Sequence, residues 1–372
     1  MTPRRPFAAP LLVAIVAFAL ATTACAQIAS PEGWASPVLG DGLLLAAHDD
    51  KLFALEAETL EPRWAFPSPE QRKDIKPIAL YGTPAIGENT VFVPTYDGTL
   101  YALNAESGEV RWFAETDGSL IGGAAVSDDT VYFGSGDGKV YALDAKSGEL
   151  RWAPFETGDG VWSTPVVSGD TVYVTSLDRR LYAIDVATGT ERWSFKTGAG
   201  VASPPVVDET AGLVYVGGFD SKLRAIDLET YQERWSVGAD NWFWTQPLVH
   251  DGVVYAGSLD GTVHAVDVQT GESRWAKPFA TEAPVRAAPV TAGDVLIVVD
   301  RDGKVYSIDP ASGTAKAEAL DLEADVLADP VVRPGTEDGA NEEVLIVTKG
   351  GELVRLDPAT LRVLQQRKLA GS

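Results

Sequence analysis

The sequence predicts an all-β protein, an eight-bladed β-propeller whose blades are four-stranded antiparallel sheets. Three observations carry this. Trp64, Trp112, Trp152, Trp193, Trp235 and Trp275 stand 48, 40, 41, 42 and 40 residues apart, and a fixed period of this size marks a repeat architecture. Each copy holds four short apolar runs punctuated by Gly, Asp and Pro, the pattern of strands and tight turns. Two further copies, 305–317 and 353–365, keep that pattern without the Trp, which brings the number to eight. A unit of about 40 residues cannot bury both faces of its sheet alone, so closure into a ring is the cooperative fold.

In chain order, residues 1–25 stand outside the ring. Arg4 and Arg5 precede an apolar run at 11–21, and no further charge occurs before Glu32. That is the layout of an export signal, too short for a comfortable membrane span. It ends at Cys25, the only cysteine, in the sequence Thr22-Thr23-Ala24-Cys25. We read Cys25 as a lipidation site of a bacterial lipoprotein signal; cleavage after Ala26, releasing a soluble secreted form, is the alternative. Residues 26–35 are expected to be a tether and 36–372 the propeller. Blade one ends at Trp64, and a charged insertion at 67–78 explains the 48-residue spacing that follows. Blades two to six, over 81–279, are the most regular. The clearest copy, 131–152, predicts strands at 131–134 and 139–143 and a third carrying Trp152. Blades seven and eight replace the Trp by Ala317 and Gln365, and a polar insertion occupies 334–343.

The repeated residues have structural roles first. Asp-Gly at 97–98, 137–138, 260–261 and 302–303 supplies the left-handed positions of hairpin turns. Asp144, Asp185, Asp227, Asp267, Asp309 and Asp357, with Asn104, precede the next turn, where a short side chain accepts backbone N–H bonds. One acid per blade around a wheel cannot converge on one ion, so no metal site is expected. The six repeated tryptophans are expected to dock each blade against its neighbour.

Composition narrows function. The formal charge is −23, which disfavours nucleic acid and anionic membrane surfaces as partners. A single cysteine allows no internal disulfide. His48, His250 and His264 fall in three separate blades, and no nucleophile elbow, P-loop or HExxH occurs.

The run Ala142-Leu143-Asp144…Ser147-Gly148…Trp152, repeated around Asp185 and Asp267, resembles the repeat of the pyrroloquinoline-quinone-like propellers. The resemblance spans nearly all of the chain beyond residue 25. It implies eight blades with tryptophan docking, and it leaves function open between two branches. Quinone-dependent dehydrogenases of this class are larger and carry a vicinal disulfide and a calcium site with Glu, Asn and Asp. This chain has one cysteine and no matching loops, so neither quinone nor calcium is expected. The other branch, cofactor-free and typified by BamB, the lipoprotein of the outer-membrane barrel-assembly machinery, fits better.

Four tryptophans lie outside the docking set. With blades aligned on the Pro that leads into the first strand, the residue three before it is Trp34, Tyr81, Ile121, Trp162, Ala202, Trp244, Arg286 and Leu327. Aromatic and Arg residues dominate this series, the types enriched at binding hot spots. The position falls in the loop entering the innermost strand, near one mouth of the channel. With Asn241 and Trp242 it forms a candidate recognition surface; the competing reading is that these rings only plug the channel. The sequence therefore supports a non-enzymatic, envelope-anchored, monomeric propeller that binds protein partners. A ligand- or carbohydrate-binding propeller is second, and a quinone-dependent oxidoreductase third.

Overall fold

The computed structural model describes residues 33–75, 78–335 and 341–369. The expected signal segment, Cys25 and most of the expected tether lie outside the described residues. The chain forms eight four-stranded antiparallel sheets, each built from consecutive strands. Blades 1 to 8 span 38–66, 85–115, 124–156, 166–196, 206–238, 248–280, 290–321 and 331–368. Among the described residues, no strand is exchanged between the first and last blades.

Blade 4 shows how the repeat is built. Its strands are Val166–Ser168, Thr171–Ser176, Arg180–Asp185 and Glu191–Lys196. The first is short because it lines the crowded axis, and blade 8's Val331–Arg333 packs there against blade 1's Val38–Gly40. The two middle strands are packed on both faces, so Val172, Val174, Leu181 and Ile184 are wholly buried, as the unbroken apolar runs require. The Asp caps form as expected. Asp144 Oδ1 accepts the N–H groups of Lys146 (3.0 Å) and Ser147 (2.8 Å), and Asn104 does the same for Glu106 and Ser107. The second carboxylate oxygen meets an Arg seven residues on, as in Arg192–Asp185 at 2.6 Å. Arg192, then the Thr188 hydroxyl, hold Asp185 down to about 2.

Neighbouring blades are joined by an indole seated on a turn. Trp64, Trp112, Trp152, Trp235 and Trp275 each donate Nε1–H to a carbonyl of the following blade, at 2.8 to 3.2 Å. Each ring lies against a glycine of left-handed backbone: Gly108, Gly148, Gly189, Gly271 and Gly313 respectively. A Cβ added at Gly189 would stand 2.4 Å from the Trp152 ring, so glycine is required there both by φ and by space. In blade 5 the position is Tyr231 at φ 61°, and Trp193 stacks on it, centroids 5.0 Å apart. Where the preceding blade has no Trp, the position is leucine. Leu361 follows Ala317 and Leu60 follows Gln365, both at positive φ and both buried. An aliphatic side chain fills the space the indole leaves.

One expected strand differs. Trp152 lies between an isolated bridge at Leu143–Leu150 and a two-residue strand, Phe155–Glu156. Pro154, immediately before that short edge strand, has no N–H for the ladder. Blades 6 and 7 have similarly shortened outer strands, Phe279–Ala280 and Leu320–Asp321.

The ring closes without a tryptophan. Leu44, Phe53, Leu55 and Leu60 of blade 1 share a core with Leu345, Val347, Leu353 and Leu369. Arg333 and Arg367 of blade 8 donate to the carbonyls of Glu58 (3.0 Å) and Leu60 (2.8 Å). The insertion after blade 1 packs over the first interblade junction, where Gln71 donates to the Gly108 carbonyl and Arg72 grips Asp50 at 2.5 Å. Of the segment given to the tether, Gly33–Ala35 belongs to the ring: Ala35 is buried and donates its N–H to Leu80 O at 3.0 Å.

The indole and the left-handed residue beneath it should behave as one unit. Ala317→Trp drives an indole against Leu361 and lowers stability by about 1–3 kcal/mol in urea denaturation. Adding Leu361→Gly recovers most of that loss, and strictly additive effects would refute the pairing.

Candidate functional site

Each lead-in segment is extended, so successive side chains point to opposite sides. The residues three and one before the lead-in Pro face the axis, and those two before it, with the Pro itself, face the wall, although Thr245 at one such position also borders the mouth cavity. Exposure follows this alternation in Trp162-Ser163-Thr164-Pro165 and Trp244-Thr245-Gln246-Pro247, where the first and third residues keep accessible surface and the others are buried. The axial side chains thus form two tiers. The upper tier is the series Trp34, Tyr81, Ile121, Trp162, Ala202, Trp244, Arg286 and Leu327, and all eight line one cavity of about 100 Å³ at the channel mouth. The lower tier includes Ser36, Thr83, Thr164, Gln246 and Asp329. Gln246 and Asp329 also border a second cavity of about 770 Å³ beyond it, lined by the inner strands of blades 5 to 7 and the lead-in of blade 8. The lower tier is the waist of the channel.

The upper tier is held from both sides. Just before each of its members in blades 2 to 8 comes an apolar residue buried in the blade, such as Leu80, Val161, Phe243 or Val285. The carbonyl before that accepts an N–H from the turn between the middle strands: Tyr96 N to Ala79 O, Leu177 N to Gly160 O, Phe219 N to Gly200 O and Arg301 N to Pro284 O, all 2.8 to 3.0 Å. The mouth is therefore a set of anchored loops, suited to presenting side chains rigidly.

Its chemistry is aromatic and cationic. The Arg286 guanidinium carbon lies 4.4 Å from the Trp34 ring centroid and 5.2 Å from that of Trp244, both within cation–π range. Trp34 meets Tyr81 at 4.2 Å and Tyr81 meets Tyr96 at 5.1 Å. On the other flank Trp244 stacks on Phe219 at 5.4 Å, and Phe219 on Trp242 at 4.5 Å. The result is an arc of seven side chains from Tyr96 to Trp242 across the mouth. Burial, then the nearby Arg301, hold Arg286 below its ordinary value; an arginine remains charged regardless.

Trp34, Tyr81, Trp162, Trp244 and Arg286 are thus brought together. Trp242 and Asn241 stand on the outer rim and do not line the cavity. Trp242 is 41% exposed, and Asn241 Oδ1 accepts the Trp242 N–H at 2.8 Å. Sequence reasoning missed Tyr96 and Phe219, which occupy equivalent turns of blades 2 and 5 and were detectable by aligning those turns. It also missed Asp329. The histidines do not occupy three blades as expected: His250 and His264 share blade 6, on its first and third strands, and His264 is a half-buried strand residue packed on Phe243. Among the described residues no group of three His, Cys, Asp or Glu could hold a metal ion.

Asp329 fastens the last blade to the first. Its Oδ2 accepts from Ser36 Oγ at 3.0 Å, its N–H donates to the same Oγ, and its Oδ1 accepts the Ala288 N–H at 2.6 Å. Depth within the ring nevertheless raises its pKa, against the pull of these bonds.

All eight mouth positions of the propeller thus converge on one aromatic and cationic cavity. The comparisons define the class of propeller. A family model described as outer membrane protein assembly factor BamB matches residues 19–155, 154–242 and 220–372. The chain belongs to this family of pyrroloquinoline-quinone-like repeat propellers. The crystal structure of BamB from Moraxella catarrhalis is similar at 21% identity and a TM-score of 0.70, covering 85% of this chain and 91% of that one. The computationally designed Ika8 protein is similar at 15% identity and a TM-score of 0.72, with 90% and 96% covered. At these identities the two structures establish the fold alone. No curated protein matches the chain.

The raised pKa of Asp329 gives a signed expectation. A carboxyl whose folded pKa exceeds its unfolded value of about 4 withdraws stability as pH rises through that interval. Asp329→Asn should therefore melt at or above the wild-type temperature at pH 7, and its advantage should shrink toward pH 4. A variant melting well below wild type at pH 7 would refute this reading.

Proposed function

We propose that this protein is a non-enzymatic, exported propeller that binds protein partners in the cell envelope, a BamB-like scaffold held to a membrane by a lipid on Cys25. The observation that carries the reading is the convergence of Trp34, Tyr81, Trp162, Trp244 and Arg286 on one mouth, in a chain matched to the BamB family along nearly its whole length. Such residues give contact area at low cost in side-chain entropy. Anchored loops pre-organise them and so lower the entropic cost of binding.

The size of the mouth favours a partner side chain or chain end. A space of about 100 Å³ is smaller than the ~150 Å³ that receives one benzene, which sets it against a sugar ring or a tricyclic quinone. The donor set also fits a quinone–calcium pair poorly. Asp329 is engaged in the blade 1–blade 8 seam, and the repeated Asp residues are engaged in their turns. We take the protein to work without a cofactor.

Affinity capture from envelope extract tests the scaffold reading. The wild type should retain barrel-assembly proteins, and Trp162→Ala with Trp244→Ala should lose at least half of that material while keeping the fold. Unchanged capture with a sharp fall in melting temperature would make the rings plugs. Separately, Cys25→Ser should move the protein from the membrane to the soluble fraction, and mass spectrometry should find the lipid on Cys25. An unmodified Cys25 in membrane-extracted protein would defeat the anchor.

A further inference from the structure

Among the described residues, Arg286 is a cation with no anion beside it. Its near neighbours at the mouth are two indoles, and the charge that perturbs it is another arginine. This occurs in a chain of net charge −23, where carboxylates are plentiful and most of the repeat arginines hold one, as Arg151, Arg192, Arg234 and Arg274 do. Leaving a half-buried guanidinium unpaired disfavours folding unless something else uses it. With its carbon over the two rings, the donors that remain are the N–H groups at the edge of its plane. A second group points the same way: Thr245 lines the same cavity, is 7% exposed, and among the described residues its buried Oγ1 has no hydrogen-bond partner. The corresponding hydroxyls of blades 4 and 5, Ser163 and Ser203, are bonded to Thr175 O and Gly217 O.

The ligand chemistry follows from charge and volume. One guanidinium matches a monoanion, and the planar fork fits a carboxylate through two parallel bonds. A phosphate dianion would bring a second negative charge into a cavity that Asp329 also lines. About 100 Å³ holds a carboxylate and the few carbons next to it, with the rest of the molecule leaving past the aromatic arc. The geometry points to a carboxylate pocket at the channel mouth. It takes one carboxylate of a partner polypeptide, from the chain terminus or from an Asp or Glu side chain. Arg286 grips it through two bonds, Thr245 Oγ1 is a further donor, and Trp34 and Trp244 flank the adjoining carbons. This rests on the protein-binding reading and names the group recognised.

Three fluorescein-labelled hexapeptides of one neutral sequence test it on the full-length protein: a free C-terminal acid, its amide, and the amide with one internal Glu. Anisotropy and tryptophan fluorescence report binding. At least one carboxylate-bearing peptide should bind saturably, about tenfold or more tighter than the neutral amide; which one identifies the source. Sodium acetate should compete better than sodium phosphate. Arg286→Gln should weaken binding about tenfold and Arg286→Lys less, with Thr245→Val as an independent variant should Arg286→Gln fail to fold. Equal binding of all three peptides, no binding at millimolar protein, stronger competition by phosphate, or wild-type binding by both Arg286→Gln and Thr245→Val would each overturn the pocket. Equal capture of envelope proteins by wild type and Arg286→Gln would also overturn it while leaving the scaffold reading intact. Peptide binding with no protein captured would support the pocket and sink the scaffold.

Discussion

Everything in this ring depends on how one blade meets the next, and that contact is an indole lying on a residue of left-handed backbone. The tryptophan supplies area and a single N–H, which finds a carbonyl of the neighbouring blade, as in Trp275 to Pro310 at 2.8 Å. The glycine beneath it supplies the flat surface that any Cβ would spoil. Because the two residues sit on different blades, the lock exists only once the ring is formed. The replacements confirm that they act as a pair. Where the indole is absent, at Ala317 and Gln365, the facing glycine becomes Leu361 or Leu60, and the volume is filled from the other side. Close packing tolerates exchanged partners but no void.

Closure uses different chemistry because the last blade carries Gln365 in place of the docking tryptophan. There the seam combines a leucine-rich core, two arginines that donate to backbone carbonyls, and the Ser36–Asp329 clasp at the waist of the channel. Asp329 therefore serves two structures at once. It joins the ends of the chain, and it separates the mouth from the larger chamber beyond. A carboxylate at that depth is held by its hydrogen bonds and disfavoured by its desolvation, so the same residue ties ring closure to pH.

The mouth separates recognition from support. Blade packing fixes the buried residue before each rim position and the carbonyl before that, which leaves the rim side chain free to vary. Five of the eight positions hold an aromatic ring or an arginine, and the flanking turns add Tyr96 and Phe219. Ile121 and Ala202 leave room on the far side, and together these choices make a small cavity with one cation at its wall. A fold shared at 15% identity with a designed protein cannot specify such a site; the rim residues do.

Number and type of elements were legible in the chain itself, since a period near 40 residues, four apolar runs per copy and Asp-Gly turns are local signals that survive without coordinates. The eight rim positions were legible too, because an extended segment before a fixed Pro repeats its facing from blade to blade. The partner of the docking Trp was readable in principle from the Trp–Gly and Ala–Leu pairing. What only the tertiary structure decided was which rim residues touch. Arg286 lies between Trp34 and Trp244, 252 and 42 residues away along the chain, and no local pattern relates them. Nor could the sequence show that Trp242 stands outside the cavity, or that Asp329 clasps Ser36. These are relations across the axis of a closed ring, created by bringing distant loops to one point, and they arise only when the last blade meets the first.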